Sequence, residues 1–198
     1  MITGNERLIV VLGMAHSGTT ILTYVLKRHP DVMIAAEGTE AWIFENTWLP
    51  AEQGGPIQDL LTRRPTKRLL LKRPWCEVWN GEWMAREMPG ARFVYCHRDF
   101  DEIAKSWSKP ESLVDDALRN GGVDYQRDYY RTCWDKAEAF GRSVPFFRRF
   151  NHADFAARPG PVMADLAAWL GLAPFAFDVS KVGNGNDIKA IIRRYGYR

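Results

Sequence analysis

A glycine-containing loop that lacks a lysine constrains this chain more than any other feature. It reads Gly13-Met14-Ala15-His16-Ser17-Gly18-Thr19-Thr20 and lies between the apolar run Leu8–Leu12 and the helix-compatible run Ile21–Leu26. A buried strand, a loop and a helix in this order are typical of a phosphate-binding unit. Glycines let successive N–H groups and the positive end of the helix converge on an anion.

Position 19 separates two classes of phosphate-binding loop. A nucleotide triphosphatase has Lys there to reach the β- and γ-phosphates, followed by Ser or Thr to hold Mg²⁺. This chain has Thr19 followed by Thr20. The loop therefore predicts binding of a doubly anionic 5′ group and not of the metal-bridged triphosphate that a kinase uses.

Apolar runs recur along the chain and alternate with polar or helical sequence. Four runs are typical of strands and a fifth is weaker: Leu8–Leu12, Val32–Ala35, Leu69–Leu71, Phe93–Cys96 and, as the weaker one, Pro145–Phe150. This alternation predicts an α/β fold, with helices on both faces of a central parallel sheet of about five strands. Further helices are expected after Gly121-Gly122 and over Val162–Leu170. We expect residues 1–198 to form a single domain.

The composition is that of a soluble globular protein, with 46% hydrophobic and 26% charged residues. The formal net charge of +3 is too small to predict nucleic-acid binding. One basic cluster is either a solvated face or an anion-facing patch. It consists of Arg63, Arg64, Lys67, Arg68, Lys72 and Arg73.

The cysteines and the amino-terminal sequence bear on the cellular compartment. Cys76, Cys96 and Cys133 are odd in number and lack metal-ligand spacing, so we expect reduced, partly buried thiols and no metal site. The first apolar run is far shorter than the roughly 20 residues of a membrane-spanning helix, and no secretory signal is visible. These observations predict a cytoplasmic protein without a membrane span.

Several segments of polar chemistry follow the predicted strands. Ligands of open α/β sheets bind beyond the carboxyl ends of the strands, which gather at one edge. The segments expected at that edge are His16 to Thr20, Glu37 with Glu40, Lys72 with Arg73, and Arg98 with Asp99. Their convergence predicts one functional site there.

Two of these segments together resemble the sulfotransferases that use 3′-phosphoadenosine 5′-phosphosulfate (PAPS). The residues that carry the resemblance are His16-Ser17-Gly18-Thr19-Thr20 and Arg98-Asp99-Phe100 leading to Ser106, with His29-Pro30-Asp31-Val32 and Lys72-Arg73-Pro74 as further matches. The similarity extends to about Trp107, and its motifs are nearest to those of tyrosylprotein or Golgi-type and bacterial sulfotransferases. It implies a P-loop fold and sulfuryl transfer from PAPS, with the desulfated nucleotide PAP as product and no metal required.

The resemblance also assigns donor-binding residues. It implies that His16, Ser17, Gly18, Thr19 and Thr20 hold the 5′-phosphosulfate. It further implies that Arg98 and Ser106 hold the 3′-phosphate, for which a cation and a hydroxyl are suitable partners. The alternative for this last segment is an ordinary helix start, with Asp99 as the capping carboxylate and Arg98 as a surface charge.

Two catalytic roles follow from the same resemblance. Glu37 lies where tyrosylprotein sulfotransferases have the glutamate that takes the acceptor proton, and Glu40 competes with it for that role. Lys72 matches the lysine that neutralises charge on the bridging oxygen as the nucleotide leaves. The alternatives are solvated loop carboxylates at both glutamates and an exposed lysine at a strand end.

Two positions depart from the family pattern. His16 replaces the Arg or Lys that opens the loop, and a neutral imidazole lacks the permanent charge of either. His16 is therefore a catalytic cation only when protonated, which predicts pH-dependent activity or a larger role for Lys72. Phe100 replaces a proline, which bears mainly on how the following helix begins.

Two other functions remain open, a P-loop kinase for a small molecule or nucleotide and a non-catalytic nucleotide-binding protein. The acceptor is expected to bear a hydroxyl or amine, and a phenol, a sugar and a peptide tyrosine all fit. Several aromatic residues either line an acceptor pocket or belong to the core. They are Trp42, Trp48, Trp75, Trp79, Tyr129, Tyr130 and Trp134.

Overall fold

A central parallel sheet organises the protein. The structure is a computed structural model that describes residues 1–34, 50–74, 78, 80–109, 114 and 116–177. Within these ranges the strands are β1 (Leu8–Gly13), β2 (Val32–Ile34), β3 (Arg68–Pro74), β4 (Arg92–His97) and β5 (Phe147–Asn151). They are ordered β2-β3-β1-β4-β5, and all four pairings are parallel. The predicted α/β fold with about five parallel strands is confirmed.

The strands form where the apolar runs predicted them, because a sheet covered on both faces needs continuous apolar sequence. All six residues of β1 are buried, as expected for the central strand. The third strand is longer than its apolar run Leu69–Leu71, since it continues through Lys72 and Arg73 to Pro74. This extension matters for the site described below.

Helices cover the sheet, and a short 3₁₀ helix (Asn5–Arg7) precedes β1. The α-helices of the described ranges are α1 (Thr19–Leu26), α2 (Pro50–Arg63), α3 (Gly81–Glu87), α4 (Phe100–Trp107), α5 (Asp116–Asn120), α6 (Gly122–Ser143), α7 (His152–Ala157) and α8 (Pro159–Trp169). The helices expected after Gly121-Gly122 and over Val162–Leu170 are thus confirmed as α6 and α8. None of the described helices is long and apolar enough to cross a membrane.

The apolar interior has two parts. The larger one packs the sheet against helices on its faces and includes β1 and β4 almost entirely. The smaller one lies under the first loop and joins it to α4, α5 and α6 through Met14, Ile103, Trp107, Val114, Leu118 and Cys133. Cys96 and Cys133 are buried thiols, as predicted, whereas Cys76 lies outside the described residues. The smaller cluster fixes the loop against α4.

The basic cluster of the sequence divides between the two ends of β3. At the amino-terminal end, Arg63 pairs with Asp59, and Lys67 donates to the carbonyl of Pro30. Lys72 and Arg73 instead lie inside the strand and are only 8% and 3% exposed. The cluster is therefore neither one solvated face nor one anion-facing patch.

Candidate functional site

The first loop has the backbone conformation of an anion cradle. Gly13 and Gly18 have φ of 137° and 104°, and His16 has φ of 66°, a value that non-glycine residues seldom adopt. A Cβ on Gly13 would lie 2.6 Å from Ser17 Oγ and 2.8 Å from the carbonyl oxygen of Cys96. Glycine is therefore required at position 13 by space as well as by conformation, and a strained non-glycine residue at position 16 is typical of a functional loop.

Helix α1 presents its amino terminus at the end of this loop. The N–H groups of Thr19, Thr20 and Ile21 have no intrahelical acceptor, and the N-cap residue Gly18 has no side chain that could accept from them. The first helical bond runs from the N–H of Leu22 to the carbonyl of Gly18, at 3.0 Å. Open N–H groups and the helix dipole together favour an anion at this point.

Ser17 gives an independent indication of a ligand. The residue is fully buried, and in the described part of the chain its Oγ has no hydrogen-bond partner. Leaving a buried hydroxyl unsatisfied costs on the order of 1–3 kcal/mol, so such groups are rare in native proteins. An anion in the cradle would supply the missing acceptor.

Side chains from the segment after β4 hold the loop in place. The indole Nε1 of Trp107 donates to the carbonyl of Ala15, and Nη1 of Arg98 donates to the carbonyl of His16, both at 3.1 Å. The hydroxyl of Ser106 lies 2.9 Å from Nδ1 of His16 and donates to it when the ring carries its proton on Nε2. The structure thus brings Arg98 and Ser106 to the loop, at the edge of the sheet where the sequence placed the Arg98 segment.

Arg98 is held from a second side by its own helix. Its Nε donates to Oε2 of Glu102 at 2.7 Å, and its side chain is 27% exposed. Asp99 caps α4 by accepting a hydrogen bond from the N–H of Asp101. The capping role considered for Asp99 is therefore confirmed, whereas Arg98 is an anchor of the loop rather than a surface charge.

Tyr130 holds the backbone of Arg98, a role that the sequence analysis did not identify. The hydroxyl of Tyr130, on α6, donates to the carbonyl of Arg98 at 3.1 Å and lies 3.1 Å from Nε2 of His97. His97 also packs against the ring of Trp134, at 4.6 Å between centroids. The sequence places Tyr130 only in an acceptor pocket or the core, because its bonding partner is 32 residues away in the chain.

His16 is electrically neutral near pH 7 in this environment. Burial lowers its pKa below the usual 6.5, and the positive charges of Arg98, Lys109 and Lys72 lower the pKa further. The imidazole is therefore surrounded by cations but does not itself carry a charge in the ligand-free protein. Lys109, exposed just after α4, is a basic residue of this site that the sequence analysis missed.

Lys72 lies in the sheet and not in a loop after it. It is paired with Val11 across β1 and β3, two positions before the strand ends at Pro74. The expectation that Lys72 and Arg73 follow the strand is therefore corrected, and so is the alternative of an exposed lysine. The strand can continue past the apolar run because the aliphatic stems of Lys72 and Arg73 are compatible with burial.

Both candidate bases and four of the seven aromatic residues belong to other parts of the chain than those the structure describes. Glu37, Glu40, Trp42, Trp48, Trp75 and Trp79 lie outside the described residues. Of the remaining aromatic residues, Tyr129 packs edge-on against Trp107, and Trp134 packs against Tyr95. Among the described residues no group of three or more His, Cys, Asp or Glu side chains has the arrangement of a metal site.

Comparison with solved structures identifies the fold. A sulfotransferase from Alicyclobacillus acidocaldarius has a TM-score of 0.62 at 17% identity, covering 94% of this chain and 90% of that one. The sulfotransferase domain of the Synechococcus PCC 7002 olefin synthase has a TM-score of 0.65 at 14% identity, covering 93% and 79%. Mouse sulfotransferase SULT7A1, complexed with PAP, has a TM-score of 0.53 at 14% identity, covering 96% and 64%.

Sequence comparison adds no closer relationship, since no protein-family model and no curated protein matches the chain. At identities of 14–17% the structural likeness bears on the fold. Within that fold, the chain has an uncapped helix terminus, an unsatisfied serine and several cations around one loop. The protein therefore has the fold of the PAPS-dependent sulfotransferases.

Proposed function

We propose that this chain is a sulfotransferase that transfers a sulfuryl group from PAPS to the hydroxyl or amine of an acceptor. The observation that carries the proposal is the junction at His16, where Arg98 binds the loop carbonyl and Ser106 lies 2.9 Å from the imidazole. In this junction an arginine and a hydroxyl lie beside a phosphate loop that has no lysine. A donor with phosphate groups at both its 5′ and 3′ positions matches such a pair of anion sites.

The loop fits the 5′ end of that donor. We assign the 5′-phosphosulfate to the N–H groups at the start of α1 and to the side chains of Ser17, Thr19 and Thr20. The orphaned Oγ of Ser17 supports this assignment, because a phosphate oxygen would accept its proton. PAPS supplies the activated sulfuryl group, and the loop's part is to hold and align it.

Arg98 and Ser106 fit the 3′-phosphate. The guanidinium of Arg98 donates through Nε to Glu102 and through Nη1 to the carbonyl of His16. Within the described residues its Nη2 has no hydrogen-bond partner. A guanidinium fixed in this way offers a prepared donor to a phosphate oxygen. The Ser106 hydroxyl completes the pair. If it donates to the 3′-phosphate instead of to His16, binding at the 3′ end changes a contact of the loop that holds the 5′ end.

Charge stabilisation is assigned to Lys72, with His16 as a second cation when it is protonated. Lys72 is buried and close enough to His16 to lower the pKa of the imidazole. In a partly desolvated site a lysine stabilises charge on a departing oxygen more strongly than it would in water. On the basis of the sequence resemblance, Glu37 is assigned the role of the base that removes the proton of the acceptor.

The test is group transfer followed by mass spectrometry. The protein is incubated with PAPS and mixtures of phenols, sugars and tyrosine peptides, and in parallel with ATP and Mg²⁺. We expect acceptors that gain the mass of one SO₃ group in the PAPS reaction only, with Arg98→Ala as the variant that loses this activity. A product that gains phosphate from ATP would identify a kinase instead. Nucleotide binding without any transfer would identify a binding protein.

A further inference from the structure

His152 lies beside Arg98 at the carboxyl edge of the sheet. The register of β4 and β5 pairs His97 with Asn151, the last residue of each strand, so Arg98 and His152 directly follow neighbouring strand ends. Asn151 accepts hydrogen bonds from the N–H groups of Ala153 and Asp154 and thereby caps α7. The cap fixes the turn in which His152 sits, and the sequence analysis did not identify this residue.

The ring of His152 lies against Gly18 at the start of α1. A Cβ built on Gly18, the N-cap of α1, would lie 3.0 Å from Cδ2 of His152. The imidazole therefore occupies the space that a side chain at position 18 would take. Together with the φ of 104° at Gly18, this contact explains why glycine is required there. It also places the imidazole next to the open N–H groups of the helix.

The two nitrogens of this ring have no hydrogen-bond partner in the described part of the chain, and the residue is half-buried. Two charged groups influence its pKa, Arg98 and Glu102, and burial is the larger effect that lowers it. The carboxylate of Glu102 is itself bound to Nε of Arg98. His152 is thus a neutral ring near pH 7, with one N–H to donate and no acceptor for it among the described residues.

We propose that His152 is a further donor-binding residue, whose imidazole N–H donates a hydrogen bond to a phosphate oxygen of the nucleotide bound at Gly18 and Arg98. This inference rests on the proposed function, because it takes PAPS and PAP as the nucleotides. An imidazole at this position satisfies two demands at once. Its carbon edge packs on the glycine backbone, and its nitrogen adds a donor to those that the loop and the start of α1 present.

Two substitutions separate hydrogen bonding from packing. His152→Phe keeps a ring against Gly18 but removes the N–H, whereas His152→Gln replaces the ring by an amide that donates. Titration calorimetry with PAP at neutral pH should give roughly 10- to 100-fold weaker binding for His152→Phe, the size of a hydrogen bond to a charged group. His152→Gln should recover most of this loss. Thermal unfolding of each variant without nucleotide reports whether the fold is retained.

A second readout uses the unsubstituted protein. The imidazole ¹⁵N resonances of His152 should shift on titration with PAP, since the ring gains a hydrogen-bond acceptor. Unshifted resonances, unchanged affinity of His152→Phe, or equal losses for both variants would each overturn the role of His152 while PAP still binds. Wild-type protein that binds no PAP would instead overturn the proposed function, and this inference with it.

Discussion

The hydroxyl of Ser106 and Nδ1 of His16 lie 2.9 Å apart, although 90 residues separate them in the sequence. This contact joins the last turn of α4 to the middle of the loop that follows β1. Arg98 makes the same connection through the backbone of His16. The two ends of a bisphosphate nucleotide would therefore be bound by parts of the protein that already touch one another.

Arg98 should select for the 3′-phosphate. Arg98→Ala is expected to weaken PAP binding by about 1.5–3 kcal/mol, the value of a charge-assisted hydrogen bond, and to weaken adenosine 5′-phosphate binding by less, since for that nucleotide only the contact with the His16 carbonyl is lost. Calorimetry with both nucleotides measures the difference. Arg86→Ala is the matched control, because Arg86 is exposed and pairs with Glu87, which contacts the chain's first residue. Equal losses for the two nucleotides would mean that Arg98 has a purely structural role.

Tyr130 should act on the same phosphate through Arg98. Tyr130→Phe removes the hydroxyl that bonds to the Arg98 carbonyl and lies near His97. Since the backbone of Arg98 then loses a fixed contact, we expect PAP affinity to fall by about three- to tenfold, in line with one neutral hydrogen bond. Affinity for adenosine 5′-phosphate should not change. Tyr125→Phe, at an exposed position of the same helix, is the control, and a loss of affinity there of the same size would contradict the positioning role.

His16 makes the stability of the nucleotide-free protein depend on pH. Its pKa is lowered by burial and by neighbouring cations, so below the unfolded value of 6.5 the unfolded chain binds more protons than the folded one. The His16 contribution to stability is therefore fully present above this pH and is lost as the pH falls toward the lowered folded pKa. Thermal unfolding across this range should show the decline, which His16→Gln should reduce. His97 and His152, whose pKa values burial also lowers, act in the same direction. A decline as steep in the variant as in the wild type would contradict this assignment.

Glu37 is proposed as the base, with Glu40 as the natural comparison. Glu37→Gln keeps the shape and polarity of the side chain but cannot accept a proton, so kcat should fall by roughly 10²- to 10⁴-fold. PAP affinity should stay nearly constant, because the base acts on the acceptor. Steady-state kinetics of Glu37→Gln and Glu40→Gln decide between the two residues. A loss confined to Glu40→Gln would transfer the role to that carboxylate.

The fold was largely predictable from the sequence because apolar runs mark buried parallel strands without reference to distant residues. The lysine-free loop and the Arg98 segment were predictable for the same reason, as each is a local pattern. The His97 and Tyr130 contacts were not predictable, since α6 meets β4 only through tertiary packing. The His29 to Val32 run shows the opposite case. His29 is buried, with Nδ1 accepting from the N–H of Asp31, and its motif shapes the turn before β2 on the far side from the phosphate loop.

The burial of Lys72 also escaped prediction. Charged residues seldom lie inside central strands, so the sequence pattern favoured a strand that ended before it. In the structure β3 lies between β2 and β1, and hydrogen bonding to β1 continues as far as Gly13 and Pro74. Pairing with β1 thus extends β3 beyond Leu71, where the apolar run ends.

Thermal unfolding with PAP in the presence of a metal chelator tests the central claim most directly. A ligand that binds only the folded state raises the melting temperature with its concentration. If the loop, Arg98 and Ser106 supply the anion contacts, PAP should raise it without any divalent cation, and more than adenosine 5′-phosphate does. The absence of a shift at millimolar PAP, or a shift produced only by ATP with Mg²⁺, would contradict the account.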